Sequence, residues 1–306
     1  MPLKTLRIAT RQSKLALWQA NLVKQRLKSF AVNLDIEFVP ILTIADKIQH
    51  KRLADIGGKQ LFVNALETAL LHNEADMAVH AMKDVPPELG DNFSIPVMLP
   101  RGDARDVLVS NHYTSLHKLP ENAVIGTGSV RRQAQLLAYN PYFNIKLLRG
   151  NVDTRLKKLD AGEFDAVILA AAGLQRLGWT HRISQILDIA TMLPAVGQGA
   201  IGIEILKSTQ MVAALLAPLV DKETMLCVNA ERALVKALHG DCYSPIGAYA
   251  SISDNKITLA GLVASIDGKQ LITAQETTTL SAVAELAPAV AMQLRYKGAQ
   301  KILLSS

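Results

Sequence analysis

The sequence predicts a mixed α/β protein whose C-terminal part is a smaller α+β region. From residue 6 to residue 205, short apolar runs typical of buried strands alternate with segments whose apolar residues recur at helical spacing. After residue 219 the order changes to one helix, three consecutive strand-like segments and a last helix. A chain of 306 residues is longer than one ordinary domain, so two or three domains are expected.

The first α/β set begins at the N-terminus. Its predicted strands are Leu6–Thr10, Ile36–Leu42 and Met77–His80, and its predicted helices are Ser13–Lys28 and Leu61–His72. This alternation favours a βαβ unit with a largely parallel sheet. The polar stretch 43–60 is too long for a tight connection and predicts a mobile flap, with a plain surface loop as the alternative.

A second set begins at Asp106, after the hinge-like connector Leu99–Asp103. Its predicted strands are Val107–Ser110, Val124–Gly126, Ile145–Leu148 and Ala166–Leu169, and its predicted helices are Val130–Tyr139, Thr154–Ala161 and Gly173–Leu177. A further strand, Ala200–Ile205, is expected to return to the first sheet. The predicted domains are therefore 1–99 with 200–218, then 100–199, then 219–306.

The last domain is predicted to be a small α+β unit. Its first helix spans Lys222–Leu238, with Asp221 as N-cap and Gly240 past its end. Strands are predicted at Ile246–Ile252, Lys256–Ser265 and Gln270–Glu276, and the final helix is expected to break at Pro288.

Composition narrows the classes of partner. The formal net charge of +6 favours anionic partners. Basic residues are spread in ones and twos at turns and aromatic residues are few, which disfavours nucleic acid. The N-terminus lacks the apolar stretch of a secretory signal, and no apolar run reaches the ~18 residues of a membrane span, so a cytoplasmic protein is expected. Two cysteines cannot supply a four-ligand metal site, so none is predicted.

Three apolar strand-like runs each end in a polar turn with arginine, where a helical pattern begins. The segments are Ile8–Ser13, Gly126–Arg132 and Leu148–Arg155. A helix N-terminus offers unpaired N–H groups and a partial positive charge, and a guanidinium binds a carboxylate or phosphate through two hydrogen bonds. One such junction would suit a solvated arginine, but the three together predict a receptor for several anionic groups.

The segment His80–Pro86 follows a strand of buried type. Lys83 and Asp84 are therefore expected at the carboxyl end of that strand, where open α/β sheets bind their ligands. There Asp84 would be a carboxylate able to stabilise a developing positive charge and accept a proton. The alternative is an ordinary Lys–Asp pair on the surface.

Two further segments are candidates for chemistry. Cys242 lies in a loop between the last domain's helix and its first strand, which suits either a nucleophile and attachment point or an inert exposed thiol. Cys227 falls within the helix and is expected to pack. The segment Gly57–Phe62 lacks the full phosphate-loop pattern, so Lys59 is expected instead to close over an anionic ligand.

Taken in order, these segments resemble the porphobilinogen deaminase family, also called hydroxymethylbilane synthases. The resemblance covers nearly the whole chain. It is carried by Leu6–Ser13, Gly57–Lys59, His80–Pro86, Arg131–Arg132, Arg149–Arg155, Leu193–Gly202, Cys242 and Pro245–Gly247.

The resemblance implies a fold and a reaction. Two domains like type II periplasmic binding proteins surround a cleft, and a third domain carries the cofactor. The cofactor is a dipyrromethane, joined by a thioether to the cysteine that corresponds to Cys242. Four porphobilinogen molecules are added to it, each losing ammonia, and the tetrapyrrole is then released by hydrolysis. Porphobilinogen is the implied partner, with no nucleic acid or membrane, and a monomer is implied.

The resemblance also assigns roles to residues. Asp84 and Lys83 would be catalytic, with Asp84 steadying the cation that remains after ammonia leaves. Since each pyrrole carries an acetate and a propionate, the growing chain is a polyanion. Its implied binding residues, together with those of the cofactor, are Arg11, Ser13, Lys59, Phe62, Thr127, Ser129, Arg131, Arg132, Arg149, Arg155, Arg176 and Gln198.

The chain departs from the family pattern at several positions. Serine commonly stands where Ala81 and Gly128 are, arginine where Leu206 is, Thr-x-Gly-Asp where 43–46 are, and glycine where Asp241 is. None of these departures removes a catalytic group. A competing hypothesis is an anion-binding or sensor protein on the same scaffold, which would need the arginines but neither Cys242 nor Asp84.

Overall fold

The computed structural model describes residues 4–43, 63–241 and 243–304. The chain divides into two compact units, the first made of residues 1–102 and 200–225 and the second of residues 103–199 and 226–306. No helix among the described residues has both the length and the hydropathy to cross a bilayer.

Strands and helices alternate through most of the described chain. The strands are β1 (Thr5–Arg11), β2 (Asp35–Ile41), β3 (Met77–Ala81), β4 (Phe93–Met98), β5 (Asp106–Val109), β6 (Val124–Thr127), β7 (Asn144–Leu147), β8 (Ala166–Ala170), β9 (Gln185–Ile186), β10 (Ile201–Leu206), β11 (Ile246–Ser253), β12 (Lys256–Ala264) and β13 (Leu271–Thr279). The helices are α1 (Lys14–Lys28), α2 (Asn64–Leu71), α3 (Val130–Tyr139), α4 (Val152–Asp160), α5 (Ala171–Arg176), α6 (Gln210–Leu216), α7 (Lys222–Ala237), α8 (Val283–Tyr296) and α9 (Ala299–Leu304).

The first unit contains a five-stranded sheet in the order β2-β1-β3-β10-β4. β1 pairs in parallel with β2 and β3, whereas β10 is antiparallel to β3 and β4. The predicted return of the chain to the first sheet is therefore confirmed, although the sheet is mixed rather than parallel throughout. Sequence patterns missed β4 because Pro96 interrupts it, and an edge strand is where a sheet tolerates proline.

The second unit repeats the same pairing scheme. Its five-stranded sheet has the order β7-β6-β8-β5-β9, with β6 parallel to β7 and β8, and β5 antiparallel to β8 and β9. In both sheets the carboxyl ends of the parallel strands share one edge. The predicted α/β class is confirmed, and the three junctions that were predicted to bind anions fall at these edges.

A separate antiparallel sheet, β11-β12-β13, forms the C-terminal α+β domain. Helices α7 and α8 share its apolar core, which includes Cys227, as expected for a packing cysteine. The predicted N-cap is also confirmed, because Asp221 Oδ1 accepts a hydrogen bond from the backbone N–H of Thr224. The exact domain limits given above stay predictions.

One prediction about this domain is wrong. Helix α8 runs through Pro288 without a break. The carbonyl that loses its partner is that of Ala284, on the exposed side of the helix, where solvent can hydrogen-bond it. On the opposite side Leu286, Val290 and Leu294 are buried in the core, and this packing holds the helix together.

Candidate active site

Arg11 and Ser13 lie where β1 passes into α1. Ser13 is the N-cap of the helix, and its Oγ accepts a hydrogen bond from the backbone N–H of Ala16 at 3.3 Å. Arg11 is the last residue of β1 and is partly buried. The first predicted strand–turn–helix junction is therefore formed, with Arg11 two residues before the N-cap of the helix.

Lys83 and Asp84 lie in a single 3₁₀ turn, Met82–Asp84, that directly follows β3. Because β1 and β3 are parallel neighbours, this turn and Arg11 share one sheet edge. Arg11 Nη1 is 3.9 Å from Asp84 Oδ2, and the two side chains are 20% and 31% exposed. The predicted position of Asp84 at a strand end is thus observed, with a second cation beside it that the sequence did not pair with it.

The second unit holds a buried ion cluster formed by Arg131, Arg132 and Asp106. Arg131 Nη2 and Arg132 Nη2 each lie 2.7 Å from a different oxygen of the Asp106 carboxylate. Asp106 is fully buried and the arginines are 3% and 5% exposed. Burial alone would raise the pKa of Asp106, but the two guanidinium charges outweigh it and hold the pKa below its usual range.

Two guanidiniums share one carboxylate, so this cluster carries one surplus positive charge. Arg131 Nη1 donates to the backbone carbonyl of Leu193 and Arg132 Nη1 to that of Ile168. Arg131 Nε is buried and has no hydrogen-bond partner among the described residues. The surplus positive charge favours an anionic group near this cluster.

Gln198 belongs to the same cluster. Its Nε2 donates to the backbone carbonyl of Ala104 and to Asp106 Oδ1, at 2.6 and 2.8 Å. Nearby, Arg176 Nη2 donates to the carbonyl of Gly199 at 2.6 Å, and burial lowers the pKa of Arg176 to about 10. Gly197 and Gly199 both have positive φ, which gives this loop its tight path past the arginines.

Thr127 and Ser129 form the junction between β6 and α3. Ser129 is the N-cap of the helix, and its backbone N–H donates to Thr127 Oγ1 at 3.2 Å. Between them, a Cβ on Gly128 would lie 2.8 Å from the carbonyl oxygen of Leu148. The glycine therefore lets the next junction approach closely, and a side chain here would require the Leu148 backbone to shift.

The third junction joins β7 to α4. Arg149 is buried at its start, and Gly150 adopts a φ of 108°, which glycine tolerates without strain. Arg155 lies in the first turns of α4 and its Nε donates to the carbonyl of Gly150 at 2.7 Å. Both arginines therefore lie at the same sheet edge as Thr127, since β6 and β7 are parallel neighbours.

Three predicted site residues lie outside the described residues: Lys59, Phe62 and Cys242. The same holds for most of the predicted flap. The loop around Cys242 is partly described. Asp241 Oδ1 accepts hydrogen bonds from the backbone N–H of Tyr243 and from Ser244 Oγ, at 2.9 and 2.8 Å. Asp241, which stands where the family pattern has glycine, therefore forms hydrogen bonds within the loop to which it belongs.

Sequence reasoning missed Asp106 as a site residue. Its only local signal is a carboxylate at the start of the very apolar segment Val107–Val109. A buried charge needs a partner, which makes the arginine pair a candidate. The spacing of these residues along the chain does not show that they meet.

The donor set fits a polycarboxylate cofactor. Arginine, serine and threonine residues lie together at one edge of the second sheet, and the cluster of Arg131, Arg132 and Asp106 has positive charge in excess. Carboxylates are the natural acceptors for such a set.

The comparisons with known proteins agree with this chemistry. A family model described as "Porphobilinogen deaminase, dipyromethane cofactor binding domain" matches residues 6–214, and one described as "Porphobilinogen deaminase, C-terminal domain" matches residues 225–296. A curated porphobilinogen deaminase of Chromobacterium violaceum is 49% identical over 296 residues, which is 97% of this chain and 96% of that protein.

Solved structures give weaker likenesses. A periplasmic substrate-binding protein of an ABC transporter from Coxiella burnetii has a TM-score of 0.45 and 12% identity, covering 72% of this chain and 94% of that one. The periplasmic aliphatic sulphonate binding protein of Escherichia coli has a TM-score of 0.40 and 14% identity, covering 77% and 71%. These values carry no functional conclusion. The sequence relationship does, and the chain belongs to the porphobilinogen deaminase family.

Proposed function

We propose that this chain is a porphobilinogen deaminase, a transferase that joins four porphobilinogen molecules, with loss of ammonia, and releases hydroxymethylbilane by hydrolysis. The observation that carries the proposal is a relationship of 49% identity over 97% of the chain. The same family relationship supports a dipyrromethane cofactor. When bound, this cofactor supplies the primer to which the first substrate is joined.

The proposed roles of the residues follow from their charges and positions. Arg11, Ser13 and Lys83 offer donors to the acetate and propionate groups of the substrate at the edge of the first sheet. Loss of ammonia leaves positive charge spread over the pyrrole, including its nitrogen. Asp84, 3.9 Å from Arg11 and partly exposed, is available to stabilise that charge and to hold the pyrrole N–H.

The proposed cofactor-binding residues are those of the second unit. Arg131 and Arg132, together with Thr127, Ser129, Arg149, Arg155, Arg176 and Gln198, supply cations and hydrogen-bond donors at one sheet edge. Cys242 is the proposed attachment point, through a thioether, with Lys59 and Phe62 as further ligand contacts. We also propose that the enzyme is a cytoplasmic monomer.

A sensor protein on the same scaffold is the competing hypothesis, and the family relationship disfavours it. The intact mass of the purified protein tests the two directly. If the protein is the enzyme, its measured mass should exceed the mass calculated from the sequence by one dipyrromethane, and it should convert porphobilinogen to a linear tetrapyrrole. An unmodified mass with no turnover after incubation with porphobilinogen would contradict the proposal.

Cysteine variants locate the attachment point. We expect Cys242→Ser to fold but to show neither added mass nor turnover, because serine lacks the sulfur that a thioether requires. Cys227→Ala is the matched control, since Cys227 lies in the core of the C-terminal domain and should keep both properties. Added mass on the Cys242 variant would show that the cofactor is attached elsewhere.

A further inference from the structure

A buried histidine and a buried glutamate connect the two strands next to the proposed catalytic turn. His80 Nε2, on β3, lies 2.9 Å from Glu204 Oε2, on β10, and the side chains are 5% and 0% exposed. In the antiparallel pairing His80 faces Gly202 and Glu204 faces Ala78, so the two side chains are diagonal neighbours on one face of the sheet.

Helix α2 places a third ionisable group, Glu67, on this face. Glu67 is 8% exposed, and Oε1 of Glu67 and Oε1 of Glu204 are both buried without a hydrogen-bond partner among the described residues. Burial, followed by the charge of Glu204, raises the pKa of Glu67 to about 7, and His80 opposes this rise. On the same face of β1 lie the buried Ala9 and, two residues further along, the partly buried cation Arg11.

Strand β10 also fixes the beginning of the catalytic turn. The backbone N–H of Met82, the first residue of the turn, donates to the carbonyl of Ala200 at 3.0 Å. The buried side chain of Met82 packs so closely on Gly202 that a Cβ there would collide with its sulfur. The position of Lys83 and Asp84 thus depends on how β3 and β10 lie against each other.

We infer that His80, Glu204 and Glu67 are positioning residues for the Lys83–Asp84 turn. The bond between His80 and Glu204 fastens β3 to β10 immediately before the turn, and Glu67 is buried against the same pair. The inference rests on the proposed function, which gives the turn its catalytic role. None of the three residues contacts the substrate in this scheme. They act by holding the turn in place.

The environment of the cluster disfavours the charged form of Glu67. When Glu67 loses its proton, a second carboxylate charge is buried beside Glu204. Since the folded-state pKa of Glu67 is raised from 4.5 to about 7, its contribution to stability is full below pH 4.5 and is lost as the pH rises to about 7.

The test uses the holoenzyme and two isosteric variants, Glu67→Gln and Glu204→Gln. We expect kcat of the wild type to fall above pH ~7, where Glu67 loses its proton. The glutamine of Glu67→Gln has no proton to lose in this range, so this variant should not show the fall. Glu204→Gln leaves His80 without its carboxylate, so we expect kcat to fall about tenfold with KM within about twofold, because misplacement costs rate more than binding. Amide exchange of residues 79–85 should become faster in Glu204→Gln.

Glu74→Gln is the matched control. Glu74 also pairs with a histidine, His72, but at 3.9 Å and with both side chains about two-thirds exposed, so no measured quantity should change. A wild-type profile that is flat around pH 7, or two variants with wild-type kcat, pH profile and exchange, would overturn the inference. The exchange experiment needs no substrate. If the proposed function is wrong, the wild type will show no turnover. If only this inference is wrong, the wild type will turn over and amide exchange in Glu204→Gln will match the wild type.

Discussion

Arginine and aspartate meet at a sheet edge in both units, but in opposite ways. In the first unit, Arg11 and Asp84 are 3.9 Å apart and partly exposed. In the second, Arg131 and Arg132 each approach Asp106 to 2.7 Å, and the carboxylate is fully buried. The same residue types therefore form a loose pair in one unit and a closed cluster in the other.

The difference shows what each arrangement is suited to do. A partly exposed pair in contact with solvent contributes little to stability, so Arg11 and Asp84 can separate at small cost, as their proposed role in substrate binding requires. A buried cluster cannot lose one partner without leaving charge in a medium of low polarity. Asp106 therefore orients the arginines of the second unit, whereas the partly exposed Asp84 suits the catalytic role proposed for it.

Removing the buried carboxylate should have the largest effect. Asp106→Asn leaves two buried guanidiniums without their counter-charge, so we expect a loss of about 3–5 kcal/mol in the free energy of unfolding. Denaturant unfolding monitored by circular dichroism measures it. Asp160→Asn is the control, because Asp160 pairs with Arg182 at 2.6 Å but is about half exposed, and the expected loss is below about 1 kcal/mol.

Acid should reveal the same carboxylate. The pKa of Asp106 is depressed in the folded state, so its contribution is present above the ordinary aspartate pKa of 3.8 and is lost as the pH falls further. The wild type should therefore lose stability below about pH 4 more steeply than Asp106→Asn. Equal losses in the Asp106 and Asp160 variants would remove the distinction between the two units.

Removing the partly exposed carboxylate, Asp84, should lower the rate of the reaction and leave the stability of the fold nearly unchanged. In Asp84→Asn the shape is kept but the charge is lost, so we expect kcat to fall by about 10²–10³, as when a major electrostatic stabiliser is deleted. Asp84→Glu keeps the charge in a displaced position and should retain part of the activity. Single-turnover formation of enzyme–substrate adducts, with cofactor content checked by mass, is the measurement.

Thermal stability completes this experiment. The Asn variant should unfold within a few degrees of the wild type, because the pair it breaks is long and solvent-screened. If Asp84→Asn adds substrate at the wild-type rate, the catalytic role proposed for Asp84 is wrong, and its carboxylate serves only as a counter-charge to neighbouring cations.

The smallest expected effect concerns the spacing of two junctions. Gly128→Ser brings a Cβ to 2.8 Å from the Leu148 carbonyl, so the backbone before Arg149 must shift, at a cost of about 1–3 kcal/mol. Gly90→Ser is the control, since its Cβ would meet only the ring of Phe93, at 3.3 Å. Urea unfolding of both variants measures the difference, and equal stabilities would mean that the junctions yield easily.

Local patterns determined much of the fold. Helix α3 spans Val130–Tyr139 as predicted, and the predicted strands differ from the observed ones by a few residues at their ends. These elements follow from side-chain periodicity, which is a property of neighbouring residues. The edge strand β4 and helix α8 were missed or misjudged because proline weakens a local pattern, whereas burial against a sheet restores the structure.

The sequence by itself determined the three arginine-bearing junctions, the Lys83–Asp84 turn at a strand end and the family. Each of these depends on residues close together in the chain. Only the tertiary structure decided which charges are paired. Asp106 meets arginines 25 and 26 residues away, and His80 meets Glu204 across 124 residues. The order of the strands in each sheet brings these residues together, and the packing around each pair determines how much solvent reaches it.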